Sequence, residues 1–305
     1  MIEVTNNTPQ NQSVIIMTGM HRSGTSLTAS LLQNSGVFIG ERLMDGGTGN
    51  IKGHFEDWDF VDLHRESLTA ASVNREGWTT QKNFTLSGEY LERAKTLIAA
   101  RSQYPIWGWK DPRTTLFLDC WQDLIPEAKF VFVYRSPWDV VDSLFRRGDF
   151  IFKIEPEIAI LSWISYNQKI LNFCRQTSRP WILLKIEDMI NDSPAAISFI
   201  NQQLKLSLPL PQNLYERSLF KDRTYNYHWA KLIQKYYPQA LQLYIQLHQQ
   251  ATYLAPTSTN VNLNSLSHPP FWFWQNWLDK PIERVRATLY WFKLKQLAAN
   301  TTKHQ

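Results

Sequence analysis

In "MTGMHRSGTSLTASLL" (residues 17–32), Gly19 and Gly24 are spaced like the two glycines of a phosphate-binding loop, G-x-x-x-x-G-K-[ST]. Thr25 stands where that pattern places its lysine, and Ser26 stands at the Ser/Thr position. Arg22 is the cation inside the loop. A glycine loop that opens a helix points backbone N–H groups at one spot, and the helix N-terminus adds partial positive charge, so the chemistry is anion binding. Without the lysine, hydrolysis of a Mg-bound triphosphate fits poorly. Arg22 instead offers a planar fork to an anion or to a leaving-group oxygen. A bare "GTS" more often caps a helix. Here a β-branched apolar run, Val14–Thr18, precedes it and a helical pattern, Thr25–Asn34, follows, and that context favours the phosphate reading.

A second group of residues is in "FVFVYRSPWDVVDSLFRRG" (Phe130–Gly148). An apolar run ends at Tyr134, Arg135 follows, and Pro137 opens a helix. Ser143 lies eight residues after Arg135, about two turns into that helix. The pair can grip a second phosphate; taken singly, each is better read as a surface ion pair and a helix-face hydroxyl. A third is "WGWKDPR" (Trp107–Arg113), where Lys110 stands at a strand end beside Asp111. Arg22, Lys110 and Arg135 are thereby predicted on one sheet edge, and partly buried like charges at that density call for a polyanion.

The elements that must position these residues follow from periodicity. Pro105–Lys110, Lys129–Tyr134 and Trp181–Ile186 join Val14–Thr18 as strands. Helical patterns cover Trp58–Ser72, Gly88–Ser102, Arg113–Leu124, Pro137–Arg147, Glu155–Arg175 and Ser193–Leu204. Strand and helix alternating at this pitch predict an α/β fold, a doubly wound parallel sheet flanked by helices, with ligand at the carboxyl ends of the strands. Beyond about Leu208 the sheet pattern stops, and residues 228–250 read as two helices broken at Pro238. The expected organisation is a disordered tail over 1–13, the P-loop domain over 14–254, and a linker with an aromatic and basic helical extension over 255–305.

Composition narrows the function classes. A chain of 305 residues that is 43% hydrophobic can bury one sizeable core. Two cysteines, Cys120 and Cys174, exclude a disulfide scaffold or a cysteine zinc site and favour a reducing, cytoplasmic compartment. The polar N-terminus carries no signal-peptide pattern, and no apolar run of about 18 residues predicts a membrane span. A net charge of +5 suits an anionic ligand but is too dispersed to argue for nucleic acid.

At these residues the sequence resembles the PAPS-dependent sulfotransferases, which use 3′-phosphoadenosine 5′-phosphosulfate (PAPS). The resemblance is to the branch holding carbohydrate and tyrosylprotein sulfotransferases and many bacterial members. "GMHRSGTSL" is similar to that family's 5′-phosphosulfate loop, "VYRSPWDVVDS" to its 3′-phosphate motif, and "WKDPR" to its KDP segment. "NIKGHFED" (Asn50–Asp57) and "LLKIEDMINDSPAAISFI" also resemble family segments, so the resemblance spans roughly Val14 to Leu204. It implies a P-loop nucleotide-kinase-like fold. It also implies that Gly19, Arg22, Ser23, Gly24, Thr25 and Ser26 hold the 5′-phosphosulfate, and that Arg135 and Ser143 hold the 3′-phosphate. Lys110 is implied to touch the transferring sulfate. No metal is implied in the chemical step, because a sulfuryl group carries less charge than a phosphoryl group.

Glu56 is the first candidate for the base that deprotonates the acceptor, Glu41 the second, and His54 and His21 weaker ones. The competing reading of Glu56 is a carboxylate at the start of the helix beginning at Trp58. Lys221 and Arg223 are read as solvated charges rather than nucleotide ligands. The aromatic and basic stretch 271–295 is read as packing on the domain or forming a homodimer contact, with peripheral attachment to the inner membrane face as the alternative. The expected partner is a small-molecule or glycan acceptor. A P-loop small-molecule kinase and a non-catalytic nucleotide-binding relative remain the alternative functions.

Overall fold

The computed structural model describes residues 12–46, 53–81, 84–211 and 227–253. The expected tail 1–13 falls almost wholly outside them, as do Lys221, Arg223 and the stretch 271–295. Four parallel strands, β1 (Ser13–Gly19), β2 (Ile106–Lys110), β3 (Lys129–Tyr134) and β4 (Trp181–Lys185), form one sheet in the order β2-β1-β3-β4. The chain leaves β1 to build β2 on one side, and β3 lies on the other, so β1 and β3 flank a topological switch point. Their carboxyl ends, with Gly19 level with Val133, open into the crevice where such sheets bind ligands.

The strands are apolar on both faces because helices cover both. Val14, Ile16, Trp107, Trp109, Phe130 and Phe132 pack into one core with α2 (Trp58–Ala70), α4 (Leu118–Leu124) and α7 (Ile158–Gln176). Ile15, Met17, Val131, Val133, Ile182 and Leu184 pack into the other with α1 (Thr25–Asn34), α8 (Ile186–Asn191) and α9 (Ser193–Leu204). Period-two alternation along a strand thus splits into two buried sets, as a doubly wound sheet requires. In the larger core Phe60 stacks on Trp109 at 4.2 Å, and Trp109 meets Trp121 at 4.6 Å.

Three elements differ from the periodicity reading. The pattern over Arg113–Leu124 resolves into a 3-10 helix, Pro112–Phe117, followed by α4. Thr18 explains the break: its Oγ1 donates to the carbonyls of Asp111 and Pro112 and meets Thr115 Oγ1, drawing the first turn onto β1. The two short helices α6 (Phe150–Ile154) and α8 were not legible as helices, being too short to show a 3.6-residue period. Ile186, read as the last strand residue, instead opens α8.

Beyond the sheet, α3 (Glu89–Arg101) packs on α2, α10 (Tyr227–Tyr236) packs on α5 (Pro137–Arg147), and α11 (Pro238–Gln250) packs on α7. Pro238 stands at the first turn of α11, where its missing N–H costs no helix bond. After α11 the backbone returns to the free edge of β4, where Thr252 N donates to the Leu183 carbonyl. Phe38 bridges the other edge at Trp107, so short segments cover both edge strands.

Candidate active site

The glycine loop after β1 is built as an anion cradle. Gly24 caps α1 in the left-handed region at φ 92°, and no side chain caps the helix, so its first-turn N–H groups face the loop. Alanine is excluded at both glycines. A Cβ on Gly19 would enter the Val133 carbonyl, and one on Gly24 would enter the Ile186 side chain. β3 and α8 therefore buttress the loop from behind. Ser23 is fully buried, and its Oγ has no hydrogen-bond partner among the described residues. A buried donor left open at a helix N-terminus fits a bound anion.

Arg22, itself left-handed at φ 67°, reaches from this loop to α5, where its Nε donates to Ser143 Oγ at 2.8 Å. This bond brings the loop and the Arg135–Ser143 pair together. Asp139 accepts from Ser136 at the start of α5, which fixes the helix directly after Arg135. Arg22 is crowded by cations. Desolvation, then the charges of Arg147, Arg146 and Arg135, together lower it to about 10 against the opposing Asp149. Arg146 and Arg147 were missed from sequence, although "FRRG" lies in the same motif. Their relevance depends on α5 placing its last turn beside the loop.

Lys110, at the end of β2, is buried, and its Nζ donates to Glu56 Oε1 at 2.6 Å and to the His54 carbonyl at 3.0 Å. Ser26 Oγ donates to the same carbonyl at 3.1 Å, so the 53–57 segment is tied to both α1 and β2. Residues 42–44 hold that segment from the other side: Met44 N donates to the Glu56 carbonyl, and Trp58 N donates to the Arg42 carbonyl. Gly40 allows this approach, since a Cβ there would strike the Asp57 carboxylate.

The competing reading of Glu56 as a helix-start acid does not describe its position. Asp57 is the N-cap of α2, accepting from Asp59 N and pairing with Arg101 at 2.9 Å. Glu56 turns inward to Lys110 and, at 3.5 Å, to Arg113. Glu41, the second base candidate, is half-exposed and faces Arg101 at 3.6 Å and the Tyr104 hydroxyl. Lys110 and Arg135 are not bare cations as the sequence suggested, because the fold supplies carboxylates to both. Glu56 faces Lys110, and Glu187 and Asp139 approach Arg135 at 3.7 and 3.9 Å.

Arg113 was the larger omission. Fully buried, it pairs with Asp111 at 2.8 Å, with Glu56, and with Glu76, and its Nε donates to the Arg75 carbonyl. Asp111 is held far below the usual carboxylate range by the Arg113 guanidinium and a hydrogen bond from His64, which outweigh burial. The indole N–H of Trp121 can only donate, so His64 Nε2 accepts it and the ring proton sits on Nδ1, facing Asp111 at 2.8 Å.

The two histidine candidates sit beside this network. His21 is buried against Trp78 at 4.6 Å, its Nε2 without a partner. Burial, with Arg113 and Arg147, pushes it well below its usual range, so it is neutral at pH 7. His54 is also lowered, chiefly by desolvation, with Glu56 opposing and Lys110 and Arg22 adding. Among the described residues there is no group of His, Cys, Asp and Glu fit to hold a metal ion.

The sequence profile described as "Sulfotransferase family" matches residues 14–210. The chain belongs to the sulfotransferase family. Its enzymes take PAPS as donor, and every residue placed in the crevice above falls inside the matched span. No curated protein matches this sulfotransferase. Among solved structures it is similar to the sulfotransferase domain from the curacin biosynthetic pathway, at 15% identity over 80% of this chain and 99% of that one, with a TM-score of 0.48. It is also similar to sulfotransferase STF9 from Mycobacterium avium, at 12% identity over 83% and 79%, with a TM-score of 0.45. The sulfotransferase domain of the Synechococcus PCC 7002 olefin synthase aligns at 16% identity over 92% and 97%, with a TM-score of 0.42. Among the described residues no helix of this sulfotransferase is long and apolar enough to cross a membrane.

Proposed function

We propose that the chain moves the sulfuryl group of PAPS to a hydroxyl or amine of a small acceptor, a carbohydrate or another small or lipid-linked metabolite, by in-line transfer without a metal. The observation that carries this reading is the Arg22–Ser143 hydrogen bond within a cluster completed by Arg135, Arg146 and Arg147. Such a cluster beside an uncapped helix N-terminus suits one ligand with two anionic groups a nucleoside apart.

PAPS, when bound, supplies an activated sulfuryl group on a good leaving phosphate. In this reading Gly19 and Ser23–Ser26 orient the 5′-phosphosulfate through backbone N–H groups and hydroxyls, and Arg135 and Ser143 hold the 3′-phosphate. Arg22 and Lys110 stabilise charge on the bridging oxygen as the S–O bond breaks. Lys110 also holds Glu56 in place, and Glu56 takes the acceptor proton through the electron pairs its two cations leave open. Orientation within this rigid frame supplies the remaining advantage.

Calorimetry with 3′,5′-adenosine bisphosphate, with ATP as control, tests the ligand: tight binding of the bisphosphate is expected, and binding of Mg-ATP in its place would reverse the assignment to a kinase. Glu56→Gln tests the base. Turnover should fall on the order of 10²-fold with nucleotide affinity unchanged. Retention of most activity would move the role to Glu41, His54 or His21.

A further inference from the structure

Arg135 is approached by two carboxylates of the protein itself, Glu187 on α8 and Asp139 on α5. Glu187 stands two residues after β4, so the parallel pairing of β3 with β4 sets it beside Arg135, directly after β3. Oε1 of Glu187 lies 3.7 Å from Arg135 Nε, while Oε2 is buried and has no hydrogen-bond partner. The carboxylate is therefore near its cation but not locked to it, unlike Glu56 on Lys110. We propose that Glu187 is an internal competitor for the 3′-phosphate, an affinity-setting residue that must take up a proton for the nucleotide to bind fully and that recharges to help product leave. This rests on the reading that Arg135 binds the 3′-phosphate.

The electrostatics around Glu187 agree with the geometry. Desolvation, with Asp139 adding and Arg135, its own backbone N–H and Lys185 opposing, leaves its carboxyl raised to about 7. Tyr134 from β3 and Tyr244 from α11 also face Glu187, and both are raised by burial and by the Glu187 charge, so neither titrates near neutrality. Asp188 faces the same two tyrosines, and His248 meets Tyr134 Oη at 3.3 Å. Burial lowers His248, with Lys185 adding and Asp188 opposing. A phosphate on Arg135 would add negative charge beside Glu187 and compete for the guanidinium that favours its ionised form. Both effects raise the carboxyl further. Binding and proton uptake are then linked, and affinity weakens as pH rises through about 7.

The test compares wild type with Glu187→Gln by calorimetry using 3′,5′-adenosine bisphosphate and adenosine 5′-phosphate. At pH 8 the variant should bind the bisphosphate on the order of 10-fold more tightly than wild type, and at pH 6 about equally, as one linked proton requires. Titrations in buffers of different ionisation heat should show close to one proton taken up by wild type at pH 8 and none by the variant. Adenosine 5′-phosphate, which lacks the 3′-phosphate, should not distinguish the two proteins. Bisphosphate binding that is equal in both proteins at pH 8, with no proton uptake, overturns this inference and leaves the nucleotide site standing. No bisphosphate binding by wild type overturns the reading of the site and this inference with it.

Discussion

The crevice has two corners that treat charge in opposite ways. At the β2 corner, Lys110 and Arg113 are buried with Glu56, Asp111 and Glu76, and each cation meets at least one carboxylate directly. At the β1–β3 corner, Arg22 is crowded by Arg135, Arg146 and Arg147, and the nearby acids are committed elsewhere or held at a distance: Asp142 pairs with Arg146, Asp149 with Arg147, and Glu187 stays 3.7 Å from Arg135. Buried charge is tolerated when it is paired and hydrogen-bonded, as at the first corner. At the second corner Arg22 faces three further guanidinium groups, a repulsion that a polyanion would relieve. One corner is a framework of paired charges, and the other, in the proposed reading, is where the nucleotide binds.

The largest effect should come from breaking the paired corner. Arg113→Ala leaves Asp111, Glu56 and Glu76 without their shared guanidinium, and denaturant titration should show a loss of roughly 3–5 kcal/mol. A loss under about 1 kcal/mol would mean that the network contributes little to the fold. At the other corner the cost should fall on the reaction rather than on stability. Arg22→Ala should lower kcat on the order of 10²-fold or more, measured at saturating nucleotide, with little loss of stability, since removing it relieves like-charge repulsion. A near-normal kcat would remove Arg22 from the chemistry.

Glu187 sharpens the contrast through pH. Its raised carboxyl contributes stability that is fully present below about 4.5, its ordinary value, and lost as pH rises through about 7. Glu187→Gln should therefore stabilise the protein at pH 8, on the order of 1 kcal/mol after allowance for its partial exposure, and leave it unchanged near pH 4. Thermal melts at the two pH values would show it. The smallest effect belongs to Glu41→Gln. A half-exposed carboxylate facing Arg101 and Tyr104 should give within about 0.5 kcal/mol of wild-type stability and an unchanged kcat. A large fall in kcat would return Glu41 to the role of base.

Legibility followed the range of the signal. All four strands, and the helices with three or more turns, were readable from residue types, because apolar runs and 3.6-residue periods are local. α6 and α8 are too short to carry a period, and the 3-10 turn after Pro112 depends on Thr18, far away in sequence. For the candidate site, Gly19, Arg22, Lys110, Arg135 and Ser143 could be proposed because each stands at a strand end or within a spaced motif. Arg113 and Glu187 lay inside quoted motifs, yet nothing local marks a residue whose partner comes from another strand or helix.

The sequence by itself determined the alternation of strand and helix, the glycine cradle, the family, and the kind of charge presented to the ligand. Each of these is written in residues a few positions apart. Only the tertiary structure decided which charges meet. Parallel strand pairing set Glu187 beside Arg135, the bridge of residues 42–44 to 54–58 turned Glu56 onto Lys110, and α5 brought Arg146 and Arg147 to Arg22. The reason is distance: a Coulomb interaction is set by separation in space and by the solvent excluded around it, and residue spacing along the chain fixes neither.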